Sequence, residues 1–248
     1  MTDRIWGAGK ARELDEDHGR GSAAEAEEFM AVAAHDLRNP IAVVRASAQM
    51  AQRHLRRADP DAAQVRLVAI VQQTDRLTEM IETFLDASRI SAGRLPLQRE
   101  ASVDLREVID AAIARAQLLL PDFRQRQVAV AMNRSCAGAW DRIRITRAVH
   151  ALVANALIYG AAAEPVQIAV QVEPDTVQVR VSGRGAGPDV DEVAHLFEQF
   201  YRGKSSADAG QAGSGLGLFV ARGIARRHGG DLRLIDGDVF EIELPLAA

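Results

Sequence analysis

Ala34–Pro40 reads AHDLRNP and Gly213–Leu218 reads GSGLGL, with Asn155 standing between them. The first stretch puts His35 on a segment with helical periodicity. The second is a glycine-rich loop that runs directly into another helix. Backbone N–H groups at a helix N-terminus, left uncovered by glycine, are suited to bind phosphate. The order of the two stretches therefore sets a candidate phosphate acceptor ahead of a candidate phosphate cradle.

Around the first stretch the pattern is helical from Ala23 to about Arg57. Leu37, Ile41, Val44, Ala48, Ala51 and Leu55 recur at alternating spacings of four and three. Asp59-Pro60-Asp61 makes a turn, and a second helix follows to about Ile90. Its seam is Leu67, Ile70, Thr74, Leu77, Ile81, Phe84 and Ser88. Two heptad seams joined by a short turn predict an antiparallel hairpin. One hairpin cannot cover both seams, so the pattern predicts a homodimer that closes a four-helix bundle. Residues 1–22 show no period and read as a flexible tail, which leaves 23–92 for the hairpin and 93–102 for a linker.

From residue 103 to 248 the period changes. Helical segments are expected at Val103–Leu120, Asp141–Tyr159, Val190–Phe200 and Leu216–His228. Val128–Met132 alternates like a strand. Val166–Val172 with Val177–Ser182, and Leu232–Ile235 with Val239–Leu244, read as hairpins. Helices mixed with paired strands predict a two-layer α/β sandwich, so the fold class is α plus α/β.

Composition narrows the function classes. The net charge of −4 argues against a general nucleic-acid partner. Cys136 is the only cysteine, which excludes an intrachain disulfide and fits a reducing, cytoplasmic setting. The least polar long run, residues 148–163, is interrupted by His150, Asn155 and Gly160 and is too short to span a membrane. No Cys/His cluster suggests zinc. Aromatics are 4% of the chain, so the core must come from Ala, Val, Leu and Ile.

His35 precedes the seam residue Leu37 by two positions, about 200° around the helix, and so faces outward. Asp36 adjoins it, and Asn39 shares its face one turn on. A neighbouring carboxylate can hold one ring N–H and leave the other nitrogen as nucleophile. A solvated surface histidine gives the same local pattern. Likewise, a flexible loop with a helix cap would account for Gly213–Leu218. A dinucleotide fingerprint needs a strand directly before it, and Ser205–Ala212 is a loop of small residues.

Taken in order, five segments resemble a sensor histidine kinase. Phe29–Val44 (FMAVAAHDLRNPIAVV) is similar to the phosphoacceptor box and Asp141–Tyr159 (DRIRITRAVHALVANALIY) to the Asn box. Val179–Pro188 (VRVSGRGAGP) resembles the first glycine box, His195–Gly203 (HLFEQFYRG) the phenylalanine box, and Gly213–Gly230 (GSGLGLFVARGIARRHGG) the second glycine box. The resemblance covers residues 25–246. It implies a dimerising phosphotransfer hairpin followed by a GHKL-type ATP-binding domain at 103–248. His35 would be the residue phosphorylated from ATP, with Asp36 as its polarising base. Asn39 would orient a water that dephosphorylates the partner, a response-regulator receiver domain. Asn155 would ligate Mg²⁺. Tyr159, Gly183, Gly185, Gly187, Gly213, Gly215, Leu216 and Gly217 fall in the boxes that border the nucleotide.

Three positions depart from the pattern. Gly183 stands where the first glycine box carries an Asp that accepts a hydrogen bond from the adenine amino group. Ile158 replaces a Lys, and Ala151 an Asn. The sequence thus shows an intact phosphate end and a damaged adenine end. On these residues alone, Gly183→Asp is expected to tighten ATP binding. The alternative function is a phosphotransfer, scaffold or phosphatase protein with a vestigial ATPase-like domain. A GHKL ATPase or protein-serine kinase is a further possibility, opposed by the hairpin that carries His35.

Overall fold

The computed structural model describes residues 6–120, 123, 125–203 and 214–246, with side chains from Phe29 onward. Two long antiparallel helices come first, α1 (Trp6–Arg56) and α2 (Pro60–Ser91). Asp59 caps α2, its side chain accepting from the Ala62 N–H at 3.1 Å, and Pro60 occupies the first turn, where no intrahelical N–H bond is needed. Helix α1 runs back to Trp6, through most of the segment expected to be an aperiodic tail. Adding residues to an existing helix carries no nucleation cost, and Ala, Glu, Lys and Arg there favour extension.

Small residues let the two helices approach closely: Ala33, Ser47 and Ala51 on α1, and Ala63 and Ala87 on α2, are buried, Ala33 and Ala87 in one cluster with Phe84. Each expected seam turns out to be split. On α2, Phe84 is buried and Ile70 and Leu77 are half-buried, whereas Leu67, Thr74, Ile81 and Ser88 are exposed. On α1, Ala51 is buried while Ile41 and Leu55 remain 54% and 58% exposed. The heptad thus marks two stripes, one used within the hairpin and one left apolar on its outside.

The second unit contains β1 (Glu100–Asp104), α3 (Leu105–Leu119), β2 (Val128–Met132), β3 (Ala137–Trp140), α4 (Arg142–Tyr159), β4 (Val166–Val172), β5 (Thr176–Ser182), α5 (Val190–Val193), α6 (Gly217–Arg227), β6 (Asp231–Asp236) and β7 (Val239–Pro245). Its five-stranded sheet has the order β2-β4-β5-β7-β6, with β2 parallel to β4 and the other pairs antiparallel. Alternate residues of β4 and β5 (Val166, Ile168, Val170, Val177, Val179, Val181) are buried with the apolar faces of α3, α4 and α6. The fold is therefore a helical hairpin followed by a two-layer α/β sandwich.

Three features escaped the pattern. Strands β1 and β3 form a separate two-stranded sheet. The expected linker is anchored: Leu95 is fully buried, its carbonyl accepts from Arg227 Nε at 3.1 Å, and the Gln98 N–H donates to Asp141 at 2.7 Å. Helix α5 stops at Val193 instead of running to Phe200. Tertiary contacts end it, since Phe197 packs edge-on to Phe240 and Phe200 to Phe29, and Phe200 has φ +61°. Pro121, whose ring cannot continue the helix expected over Val103–Leu120, lies outside the described residues.

The sandwich rests on the C-terminal half of α2. Asp86, 1% exposed, pairs with Arg147 and Arg144 of α4, while Arg115 of α3 pairs with Glu79. Ile90 fills the space above Gly223 of α6, where a Cβ would come within 2.6 Å of it.

Candidate functional site

Chemistry-bearing side chains occupy two places. On α1, His35 faces outward, 71% exposed, with Nδ1 3.2 Å from Asp36 Oδ1. Asn39 is exposed one turn later, and the buried Pro40 follows it. The bond to Asp36 leaves Nε2 uncommitted, the geometry an imidazole nucleophile needs.

The second place is a cavity of about 580 Å³ bordered by α4, the loop before α6, the β6–β7 turn and one side of α2. Asn155, Tyr159, Gly187, Gly215 and Gly217 line it. Gly217 begins α6 and stands beside Ala151, so the helix N-terminus opens next to the middle of α4. Gly215 has φ +69°, and a Cβ there would fall 2.6 Å from the Phe200 backbone; only glycine lets this loop pass so close. Leu216 is fully buried and anchors the loop to the core, so it does not border the cavity. Gly213 lies outside the described residues.

Gly183 and Gly185 do not line the cavity. A Cβ on Gly183 would sit 2.5 Å from Ala156 O and 2.7 Å from Gly160 Cα. The Gly183 and Gly185 N–H groups donate to Asp238 Oδ2 at 2.8 and 2.9 Å, and Ser182 Oγ donates to Asp238 Oδ1 at 2.8 Å. Asp238 does line the cavity. The corner expected to lack a carboxylate therefore has one, supplied by the β6–β7 turn. Arg126 ties the same corner together by donating to the carbonyls of Ala156, Leu157 and Gly183, which closes the C-terminus of α4 onto the end of β5. Neither Asp238 nor Arg126 was legible in the sequence. Asp236-Gly237-Asp238 reads only as a hairpin turn, and Arg126 reaches its partners across the fold.

Two histidines are set by packing. Asp141 N–H donates to His228 Nε2 at 3.0 Å, and Nδ1 lies 2.9 Å from Ile224 O. The ring is thus held neutral, and burial lowers its pKa. Although a cation is favoured at a helix C-terminus, His228 does not supply one at the end of α6: an Nε2 that accepts a buried amide proton cannot also carry one.

His150, on the cavity wall, is held down to a pKa of about 4, chiefly by burial, with Arg115 and Arg147 adding to the effect and Glu79 opposing it. The folded pKa lies below the unfolded value near 6.5. Between pH 6.5 and 4 the unfolded chain binds the extra proton, so stability falls as pH falls. The full shift corresponds to about 3 kcal/mol. Urea unfolding at pH 7 and pH 4.5 should show His150→Leu losing less stability on acidification than wild type; equal losses would refute this assignment.

Among the described residues no helix is long and apolar enough to cross a membrane, and no cluster of three or more His, Cys, Asp or Glu is placed to hold a metal. The family described as His Kinase A (phospho-acceptor) domain matches residues 25–93. The family of histidine kinase-, DNA gyrase B- and HSP90-like ATPases matches residues 140–248. The chain is a sensor histidine kinase core.

Among its relatives is the sensor histidine kinase MtrB of Mycolicibacterium paratuberculosis, 32% identical over 88% of this chain and 39% of its own length. The sensor-like histidine kinase SenX3 of Mycobacterium tuberculosis is 28% identical over 92% of this chain and 56% of its own. The chain spans about half of such relatives or less. Among solved structures, the mycobacterial sensor histidine kinase MprB superposes with a TM-score of 0.51 at 26% identity, over 58% of this chain and 97% of that one. The Acinetobacter baumannii histidine kinase AdeS shares the fold with a TM-score of 0.59, over 86% of this chain and 98% of that one, at 22% identity.

Proposed function

We propose that this protein phosphorylates His35 from ATP and passes the phosphoryl group to an aspartate of a response-regulator receiver domain. In this reading residues 23–92 form the phosphotransfer hairpin and 103–248 the ATP-binding domain, and the chemistry takes place in the cytoplasm. The observation that carries the proposal is the Asp36-held, outward His35, in one chain with a cavity bordered by Asn155 and a glycine loop at a helix N-terminus. His35 Nε2 attacks the γ-phosphorus, the bond to the β–γ bridging oxygen breaks, and ADP leaves with its electron pair. Asp36 takes up the positive character that develops on the ring through Nδ1–H.

The α6 N-terminus with Gly215 and Gly217 offers open N–H groups to the phosphates. Asn155, half-buried on the cavity wall, supplies an amide oxygen, a ligand suited to a hard cation that keeps several waters. Bound there, Mg²⁺ would neutralise phosphate charge during transfer. Asn39, on the face of His35, is assigned to orient the water that dephosphorylates the receiver domain. Incubation with γ-labelled ATP tests the reading. An acid-labile, alkali-stable label that chases onto a receiver domain is expected; an acid-stable label would point to serine instead. The vestigial-domain alternative rests on Gly183, Ile158 and Ala151, and it predicts weak nucleotide binding or none.

The exposed stripe of Leu67, Val71, Ile81 and Leu85, with Ile41 and Leu55, supports a homodimer closing a four-helix bundle. Ile81→Glu should dissociate it by placing an unpaired charge at the interface. Sedimentation at micromolar concentration should show wild-type dimer and variant monomer. Leu77 is half-buried, on the side of α2 that carries Phe84, and is the poorer choice because a charge there would disrupt the hairpin itself.

A further inference from the structure

The β6–β7 turn brings Asp238 to the wall of the cavity at a place that no sequence motif marks. Strands β5 and β7 pair antiparallel, with Val181 opposite Phe240. Continued by two residues, that register sets Asp238 opposite Gly183. Directly opposed residues of an antiparallel pair hold their side chains within about 5 Å of each other. Gly183 has no side chain, and the space its Cβ would need is taken by the backbone of Ala156 and Gly160. The Asp238 carboxylate serves this corner instead.

A carboxylate has about four lone-pair sites. The Gly183 and Gly185 N–H groups occupy two on Oδ2, and the Ser182 hydroxyl occupies one on Oδ1. One site on Oδ1 stays open. Gly187, at φ +75°, packs against the carbonyl of Gly237, which fixes the turn against the loop and holds the carboxylate in place. Ile158, Leu196 and Phe240 also line the cavity. A fixed acceptor with one free site, in a cavity with apolar walls, selects a flat ring that carries an N–H donor.

We propose that Asp238 is the base-specificity residue of this site, accepting a hydrogen bond from the exocyclic amine of adenine in place of the carboxylate that position 183 lacks. The nucleotide is oriented along α4, with its base toward Ala156, Gly160 and Asp238 and its phosphates toward Asn155, Gly215 and Gly217. The proposal rests on the ATP reading above. It deepens that reading by naming which side chain distinguishes one purine from another.

The test compares ATP with inosine triphosphate, which carries an oxo group in place of the amine, by calorimetry on the full chain. Wild type should prefer ATP by roughly 10- to 100-fold, the range for a hydrogen bond to a charged group. Asp238→Asn presents an N–H donor as well as an acceptor, and should bring the ratio close to one. If Asp238 only braces the loop, the variant will bind both nucleotides less well by the same factor, and the proposal fails while the ATP reading stands. A wild type that does not discriminate overturns it in the same way, even if the variant fails to fold. A wild type that binds neither triphosphate overturns the ATP reading and this assignment together.

Discussion

His35→Gln should abolish labelling from ATP while leaving the fold and the nucleotide affinity intact. The side chain is 71% exposed, and its hydrogen-bond partner is the adjacent Asp36, so removing the ring leaves no core cavity and no buried group unpaired. Surface substitutions of this kind change stability by within about 0.5 kcal/mol. Glutamine keeps a polar side chain of comparable length but supplies no nucleophilic nitrogen, so the loss should be complete rather than graded. Radiolabel incorporation, thermal unfolding and ATP calorimetry on the same preparation separate the possibilities. Residual label in the variant would mean that another residue accepts the phosphoryl group. A large fall in melting temperature would mean that His35 has a structural role.

Gly183→Asp should weaken ATP binding and destabilise the sandwich, the opposite of what the motif by itself suggests. The new Cβ would lie 2.5 Å from Ala156 O and 2.7 Å from Gly160 Cα, both of them backbone atoms that no side-chain rotation can move. Overpacking of this kind costs about 1–3 kcal/mol. The new carboxylate would also face Asp238 across the β5–β7 pair, and like charges directly opposite repel. The Asp238 bonds to the Gly183 and Gly185 amides hold the loop shut, so opening it disturbs the base end of the cavity. Urea unfolding and ATP calorimetry together check this. Tighter ATP binding with unchanged stability would show that the strand end yields easily and that the deficit inferred from the motif is real. The double variant Gly183→Asp with Asp238→Gly, which returns the carboxylate to β5, should recover part of the charge penalty but not the backbone clash.

Much of the architecture was legible locally. The heptad spacing of α1 and α2, the Asp59-Pro60-Asp61 turn and the alternation of β4 and β5 each depend on a few neighbouring residues. Burial of Val166, Ile168 and Val170 on one face follows from strand alternation alone. The outward placement of His35, with Asn39 on its face, follows from helix geometry in the same way. The two segments proposed to hold phosphate, around Asn155 and Gly215, are likewise contiguous, because a helix N-terminus and the loop before it are made by one stretch of chain.

What the sequence did not show involves residues far apart in the chain. The helix expected over Val190–Phe200 ends early because Phe197 and Phe200 find partners in β7 and α1. The expected linker is tied down by Arg227 and Asp141, about 130 and 40 residues away. The α2 heptad signals two faces, but not which one the hairpin uses; that depends on where α1 lies. The corner at position 183 is the clearest case. Local sequence determined that position 183 carries no carboxylate, and taken alone this marks a defect. Strand register decided that Asp238 stands across from it, because pairing brings together residues 55 positions apart, and no local periodicity encodes which two strands will be neighbours.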